Sequence, residues 1–182
     1  MNHFAKSPLE FPLKHSNLRD FLDTSTSVSE ELLKYIRRSQ GQTILSINCG
    51  HEDLNKLILN NMHFDSILIV FERKSTVCKR IKKTEDDRLF VFNDSVWEIN
   101  RIFQNREIAD MIISADPLFP TLAQKIAQTM EVGKAVLKPH GVYIQIAYVD
   151  IYRSVFRRTF KHCYFKRIDN FPIATVYVGF ND

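Results

Sequence analysis

The hydrophobic pattern of the chain changes its period near Gly50. Thr43–Ile47 is a short apolar run of β-favouring residues. After the glycine, Leu54, Leu57 and Ile58 recur at the spacing of a helix. The stretch therefore predicts a buried strand, a tight turn and a helix. In open α/β sheets, a first turn of this kind usually holds a nucleotide-like ligand.

The alternation of strand and helix continues along the chain. Further strands are predicted at Asp65–Glu72, Leu89–Phe92, Ala109–Ser114 and Val142–Tyr148, and helices at 75–83, 94–103, 121–137 and 150–160. Continuous apolar strands of this kind are typical of a parallel sheet that is buried on both faces. Successive strand–helix units should therefore cover both faces of one sheet.

Two last strands, His162–Ile168 and Ala174–Phe180, follow each other closely. The link between them is too short for a parallel crossover, so the pair is predicted to be an antiparallel hairpin. The predicted fold class is α/β: a Rossmann-like fold with a seven-stranded mixed sheet and a C-terminal antiparallel β-hairpin. This order of elements is that of Rossmann-like methyltransferases rather than of dinucleotide dehydrogenases.

Prolines near the start of the chain break any long helix there, so we assign residues 1–24 to an N-terminal arm and residues 25–182 to one domain. The arm carries Phe4, Phe11 and Phe21 among basic residues. Two interpretations are open. The arm packs over the edge of the sheet, or it contacts a membrane surface.

Composition narrows the class of partner. The 182 residues are 45% hydrophobic, carry a net charge of +4 and have a pI near 9.0, which favours anionic partners such as phospholipid head groups or nucleic acid. The three cysteines lack a CxxC pairing, and the histidines lack metal-ligand spacing, so no disulfide framework or metal site is predicted. No apolar run is long enough to span a bilayer. We expect a cytoplasmic protein that is at most peripheral to the inner face of the membrane.

Three segments carry a set of short motifs: ADMIISADPLFPTLAQKI, LKPHGVYIQIAY and FKRIDNFPIATVYVGF. The motif positions are Ser114, Pro117 and Leu118, then Pro139, Gly141, Gln145 and Tyr148, then Asn170, Pro172 and Ala174. In these motifs the last third of the chain resembles the small bacterial phospholipid N-methyltransferases, which methylate phosphatidylethanolamine. Over residues 25–182 the chain resembles the class I S-adenosylmethionine-dependent methyltransferases.

The resemblance implies that S-adenosylmethionine is the cofactor, although the glycine-rich turn that would hold it is degenerate. An acidic residue and three glycines of that family correspond here to Ser46, Asn48, Gly50 and Glu52. Glycine serves there because it tolerates positive φ and lets the cofactor approach the backbone. Only one glycine is present. Ser46, Asn48 and Gly50 are nevertheless the expected cofactor-binding residues of this turn.

Two further strand ends are candidate cofactor contacts. Glu72 ends the second predicted strand, where a carboxylate can accept the ribose hydroxyls; alternatively, it caps the following helix. Asp94, with Asn93 beside it, follows the third strand at the position that the resemblance assigns to the adenine amino group. The alternative for Asp94 is a plain helix N-cap.

The acceptor is expected near the end of the fourth strand. Methyl transfer from a sulfonium to an amine depends mainly on positioning, and an aromatic face can assist the cationic centre. Ser114, Asp116, Pro117 and Phe119 would line this place. The last three also resemble the Asp/Asn-Pro-Pro-aromatic loop of nucleic-acid amino-methyltransferases, without its second proline. Tyr148 is a further candidate, with plain packing as the alternative.

A basic group follows the fifth strand and consists of Arg153, Arg157, Arg158, Lys161, Lys166 and Arg167. It is either a solvated face or a surface that contacts phosphate, on a lipid or on RNA. Three functions therefore remain open. They are N-methylation of a phospholipid at a membrane surface, methylation of an RNA amine, and binding without catalysis, which the degenerate turn favours.

Overall fold

The computed structural model describes residues 26–47, 52–115, 123–147, 152–169 and 173–182. The helices and strands in this part of the chain are α1 Thr26–Leu33, β1 Thr43–Ile47, α2 Glu52–Asn61, β2 Ile67–Phe71, α3 Ser75–Ile81, β3 Leu89–Phe92, a 3-10 helix Val96–Glu98 that runs into α4 Ile99–Phe103, β4 Ala109–Ser114, α5 Ala123–Lys134, β5 Leu137–Ala147, α6 Arg153–Thr159, β6 His162–Ile168 and β7 Ala174–Phe180. The predicted alternation of strands and helices is confirmed.

The seven strands form one mixed sheet in the order β3-β2-β1-β4-β5-β7-β6. The first five strands pair in parallel, whereas β7 pairs antiparallel with both β5 and β6. The predicted antiparallel hairpin at the end of the chain is therefore confirmed, and its second strand lies inside the sheet between β5 and β6.

Alternate side chains of the strands enter two separate cores, one on each face of the sheet. On the first face Ile44, Leu68 and Ile144 pack beneath α1, α2 and α3. On the second face Leu45 and Tyr143, with neighbouring side chains of the same strands, pack beneath α4, α5 and α6. Because both faces are covered, the central strands are apolar over most of their length. Access to the sheet is left at the ends of the strands.

β5 begins at Leu137, five residues before the predicted start, and the preceding helix ends at Lys134 rather than at residue 137. The pairing of β4 with β5 shifts register between Ala109 and Met111. Pro139 lies in this irregular first part of β5, and a proline, which lacks an N–H donor, is tolerated at such a bulge. The local apolar pattern did not reveal this extension.

A buried carboxylate connects α1 to the edge strand β6. The Glu31 side chain is 3% exposed and accepts hydrogen bonds from Lys34 Nζ at 2.6 Å and Lys166 Nζ at 2.5 Å. Burial by itself raises the pKa of this carboxyl, but the hydrogen bonds from the two lysines outweigh burial and hold the pKa below its ordinary value. Glu31 is therefore charged at neutral pH and links two elements that are distant in the chain.

We expect Glu31→Gln to lower the free energy of unfolding at pH 7 by about 1 to 2 kcal/mol, because hydrogen bonds to a charged group contribute about 1.5 to 3 kcal/mol and solvation of the two lysines compensates in part. Since the pKa of Glu31 is lower in the folded chain, this contribution is complete above the ordinary value of 4.5. It is lost as the pH falls through the folded pKa.

Urea unfolding from pH 7 to pH 3 measures this difference. The gap between the wild type and Glu31→Gln should stay constant down to the ordinary pKa and then shrink. Glu30→Gln, an exposed neighbour on the same helix, is the matched control and should behave as the wild type. Equal losses in the two variants would contradict the role given to Glu31.

Candidate cofactor and acceptor site

The carboxyl ends of β1 to β5 meet at one edge of the sheet, which we call the rim. Ile47 of β1 pairs with Phe71 of β2 and with Ser114 of β4, and Phe71 pairs in turn with Phe92 of β3. Residues at or just after these positions are therefore neighbours. Open α/β sheets hold their ligands at this edge.

Five of the candidate residues lie at the rim, as their strand-end positions predicted: Ser46, Glu72, Asn93, Asp94 and Ser114. The remaining six candidates are Asn48, Gly50, Asp116, Pro117, Phe119 and Tyr148, and they lie outside the described residues. Their proposed roles stay predictions.

Glu72 follows β2 directly and is 9% exposed. Its Oε1 accepts a hydrogen bond from Lys74 N at 2.8 Å, which closes the turn before α3. Lys74 is the N-cap of that helix and makes no side-chain cap bond. One carboxylate oxygen thus serves the turn before α3, and the capping alternative for Glu72 is wrong, because the N-cap is Lys74. Among the described residues no hydrogen bond to the other oxygen is found, so it can accept bonds from a ligand.

The peptide carbonyl of Glu72 is itself held in place from two sides. Asn93 Nδ2 donates to Glu72 O at 3.0 Å and to Arg73 O at 2.9 Å, so both amide hydrogens tie the end of β3 to the end of β2. Cys78 Sγ also donates to Glu72 O, at 3.1 Å. Burial and, to a lesser extent, the charge of Glu72 raise the pKa of the Cys78 thiol, which therefore stays protonated. Asn93 and Cys78 position this strand end.

The helical N-cap after β3 is Ser95, not Asp94. Ser95 Oγ accepts from Trp97 N at 3.4 Å, while Asp94 Oδ1 accepts from Ser95 N at 2.9 Å. The N-cap interpretation of Asp94 is therefore wrong, because the first helical residue is Val96 and the cap is the residue immediately before it. The sequence contained a signal for this, since Ser95 and Glu98 have the Ser-x-x-Glu spacing of a capping box.

At the end of β1 the structure contains a neutral buried pair. Ser46 is completely buried, and its Oγ donates to Asn55 Oδ1 of α2 at 2.9 Å. Asn55 is 2% exposed, and its Nδ2 has no hydrogen-bond partner among the described residues. The pair thus offers an amide donor where an acidic residue was expected from the resemblance. Sequence reasoning missed Asn55, although a polar residue on the apolar face of a helix was the available signal.

At the end of β4, Gln145 holds the backbone around Ser114. Gln145 Nε2 donates to Ser114 O and to Ile146 O, both at 3.1 Å. Ser114 is fully buried, and its Oγ has no hydrogen-bond partner within the described part of the chain. A buried hydroxyl without a hydrogen-bond partner lowers the stability of the fold. We therefore expect a polar group at this point of the rim that forms a hydrogen bond with Ser114 Oγ.

The basic group after β5 divides between the two faces of the sheet. Arg153 and Arg157 each lie with the guanidinium 5.5 Å from the ring centre of Phe165, on the second face. Lys166 instead reaches Glu31 on the first face, and Arg167 Nε donates to Asp169 Oδ1 at 3.1 Å. Lys166 is therefore on the other face of the sheet from Arg153 and Arg157.

No protein-family model matches the sequence. The chain superimposes on precorrin-6y C5,15-methyltransferase from Geobacter metallireducens with a TM-score of 0.68, 10% identity and coverage of 87% of this chain and 90% of that one. TrmN from Thermus thermophilus gives a TM-score of 0.69, 13% identity and coverage of 96% and 55%.

The chain has the class I methyltransferase fold. In sequence, the chain is similar to an ornithine lipid N-methyltransferase from Singulisphaera acidiphila, with 25% identity over 143 residues, which are 75% of this chain and 74% of that protein. The methyltransferase fold and the resemblance to this class that the sequence predicted are thus confirmed. In the described residues of this methyltransferase fold, no group of three His, Cys, Asp or Glu side chains could hold a metal ion.

We expect Ser114→Ala to leave the free energy of unfolding unchanged or to raise it by up to about 1 kcal/mol, because a buried hydroxyl without a partner costs about 1 to 3 kcal/mol. Urea unfolding measures this. Ser66→Ala is the matched control, since the buried Ser66 Oγ accepts from Gln42 N at 3.0 Å and its loss should cost about 1 kcal/mol. An equal loss of stability in both variants would contradict the absence of a partner for Ser114.

Proposed function

We propose that the protein transfers a methyl group from S-adenosylmethionine to the primary amine of a membrane lipid head group, with phosphatidylethanolamine as the first candidate. The observation that carries this proposal is the similarity to an ornithine lipid N-methyltransferase over three quarters of both chains. Ornithine lipids and phosphatidylethanolamine both present a primary amine close to the bilayer surface. The motif residues Ser114 and Gln145, which lie together at the rim, support the same class of reaction.

The described part of the rim fits S-adenosylmethionine. Glu72 offers a carboxylate oxygen for the ribose hydroxyls, and Asp94 lies after the neighbouring strand for the adenine amino group. Asn55 Nδ2 is a buried amide donor without a partner in the described chain, and Asn55 lies near the start of α2, so we propose it for the carboxylate of the cofactor. When bound, the cofactor supplies an electrophilic methyl group on a sulfonium.

We propose that Ser114 and the residues that follow it in the sequence bind the methyl acceptor. The nucleophile is the neutral amine, so the protein must hold the head group with its nitrogen lone pair directed at the methyl group. Ser114 Oγ, which has no partner in the described structure, can accept a hydrogen bond from that amine. Asp116, Pro117 and Phe119 come after Ser114 in the sequence, and Tyr148 is the residue after the last one of β5. We propose all four as acceptor residues.

A membrane substrate requires contact with the lipid surface. None of the helices in the described part of the chain is long and apolar enough to cross a bilayer. We propose peripheral contact, in which exposed cations attract the anionic head groups of the membrane. The net charge of +4 is compatible with this contact.

A second function, binding without catalysis, is favoured by the neutral pair at the first turn. A buried serine and asparagine stand where an acidic residue would hold the amino group of the cofactor, and this loss lowers affinity. RNA methylation is a further alternative, for which the cations Arg153 and Arg157 over Phe165 provide a surface.

Transfer of a labelled methyl group decides between these functions. The full chain is incubated with methyl-labelled S-adenosylmethionine and with phosphatidylethanolamine or ornithine lipid in detergent micelles, or with total RNA. Phosphatidylcholine, whose nitrogen already carries three methyl groups, is the matched control. We expect label in an amine lipid alone. Label in RNA, or no label in any acceptor, would overturn the proposal.

We expect Glu72→Ala to weaken the binding of S-adenosylmethionine by about tenfold to a hundredfold, because hydrogen bonds to a charged group contribute about 1.5 to 3 kcal/mol. Isothermal titration calorimetry measures the affinity. Glu72→Gln keeps an acceptor for Lys74 N and separates the loss of charge from the loss of the turn. Asp87→Asn, exposed before β3 at the other end of the sheet, should bind as the wild type does. Wild-type affinity in Glu72→Ala would contradict the role of this carboxylate.

A further inference from the structure

We infer that helix α6 and the edge strand β6 form a binding surface for a single-stranded nucleic acid. Binding there requires neither the cofactor nor methyl transfer, so it goes beyond the proposed function. Three features of the molecule point to it: the distribution of charge along the chain, two arginines that lie over one aromatic ring, and the kind of side chain that is exposed on α6.

The positive charge of the protein is concentrated in α6 and β6. Residues 152–168 contain six lysines and arginines and no aspartate or glutamate. Because the net charge of the whole chain is +4, the other residues together carry an excess of two acidic side chains. The anionic partner that the basic pI favours is therefore expected on this segment rather than elsewhere on the chain.

Two of the six cations are engaged in ion pairs. Lys166 donates to the buried Glu31 on the first face, and Arg167 Nε donates to Asp169 Oδ1 at 3.1 Å. The other four belong to α6 and to the residues just after it, and all are exposed: Arg153, Arg157, Arg158 and Lys161. We call these four residues, together with Phe165 of β6, the α6 surface. In the described chain no carboxylate forms an ion pair with the last three of these cations.

Acidic side chains around the α6 surface are few in the part of the chain that the structure describes. The elements that adjoin α6 and β6 contribute three of them: Glu131, Asp169 and Asp182. Asp169 is paired with Arg167, and Asp182 contacts His162 at the start of β6. Glu131 is three residues before Lys134 on α5, so the charges of these two side chains oppose each other. The excess of positive charge on the α6 surface therefore remains.

Two arginines of α6 lie over the same aromatic ring. The guanidinium groups of Arg153 and Arg157 are each 5.5 Å from the ring centre of Phe165. Phe165 is partly buried and packs against Tyr177, with ring centres 5.3 Å apart. Contact with a fixed ring restricts the guanidinium groups, so less conformational entropy is lost when they bind a ligand. Guanidinium planes both donate to phosphate and stack on nucleic-acid bases.

The exposed side chains of α6 favour nucleic acid over a lipid surface. No large apolar side chain of α6 is exposed in the described structure, and the exposed Tyr164 of β6 lies on the first face beside Phe180. Helices that bind a membrane surface combine cations with apolar side chains that enter the head-group region. A water-soluble polyanion requires the cations alone, because binding comes from neutralised phosphates.

The shape of α6 favours a single strand over a duplex. The helix has seven residues and packs on the sheet through the buried Phe156, and Phe160 directly after it is buried as well. A helix that is held against the sheet in this way does not project far enough to enter a major groove. A single strand can follow a row of cations, and its unstacked bases can contact planar groups.

Fluorescence anisotropy measures the binding of the full chain, without cofactor, to a labelled oligouridylate of about 12 nucleotides. We expect the affinity to fall with salt. The slope of log K against log salt concentration should be about −2 to −3, because three or four phosphates contribute about −0.7 each. Duplex RNA of the same length, polyglutamate and vesicles of phosphatidylglycerol are competitors. Each should displace the labelled strand less well than unlabelled oligouridylate does.

Substitutions locate the surface. Arg157→Ala should weaken binding about fivefold at 0.1 M salt and make the slope less negative by about 0.7, because one phosphate contact is lost. Arg157→Lys retains the charge and should retain the slope. Arg37→Ala and Lys83→Ala remove exposed cations outside residues 152–168 and should bind as the wild type does. Urea unfolding verifies that each variant is folded.

Four outcomes would overturn the α6 surface as a site for single-stranded nucleic acid. They are no binding of oligouridylate, binding that salt does not weaken, equal losses in Arg157→Ala and Arg37→Ala, and stronger competition by duplex RNA, polyglutamate or vesicles than by unlabelled oligouridylate.

The labelled-methyl assay keeps this result separate from the proposed function. Binding of oligouridylate with label in an amine lipid alone supports both. Binding of oligouridylate with label in RNA supports the α6 surface and overturns the lipid acceptor. Label in an amine lipid without any binding of oligouridylate overturns the α6 surface alone.

Discussion

The parallel pairing of β1 with both β2 and β4 brings together the strand ends that carry Ser46, Glu72 and Ser114. Because these strands point in the same direction and are in register, Ile47 lies between Phe71 and Ser114. The polar residues that end or follow these strands are therefore neighbours, although they come from separate units of the chain. Helices cover both faces of the sheet, so the rim is where polar side chains can meet a ligand.

At the rim, Asn93 and Gln145 form hydrogen bonds with backbone carbonyl groups and not ion pairs. Asn93 and Gln145 each use the amide group to bind two carbonyl oxygens, and these bonds fix the ends of β3 and β4. Two buried polar atoms near the same edge, Asn55 Nδ2 and Ser114 Oγ, have no partner in the described chain. Buried polar atoms without partners are uncommon and are often explained by function. Their position at the rim is therefore a physical argument for a ligand there.

The two edges of the sheet differ in construction. At one edge, β6 is tied to α1 by the buried Glu31 and packs against the arginines of α6 through Phe165. At the other edge, β3 is joined to β2 by the stacked rings of Phe71 and Phe92, whose centres are 5.0 Å apart. Trp97, which follows β3, is left with 42% of its surface exposed. The rim therefore ends in charged groups on one side and in an aromatic group on the other.

The sequence by itself determined the order of strands and helices, the terminal antiparallel hairpin and the position of Ser46, Glu72 and Ser114 at strand ends. These features depend on periodicity and link length, which are properties of neighbouring residues. The cap at Ser95 was also local, since its capping-box spacing is contained in four residues.

Only the tertiary structure decided which side chains became partners. The Asn55 side chain accepts a hydrogen bond from Ser46. Lys166 donates to Glu31, which is 135 residues earlier in the chain. The early start of β5 depends likewise on its pairing with β4 across the register shift. The physical reason is the same in each case. Contacts between distant segments are set by how the helices pack on the sheet, and no local pattern carries that information.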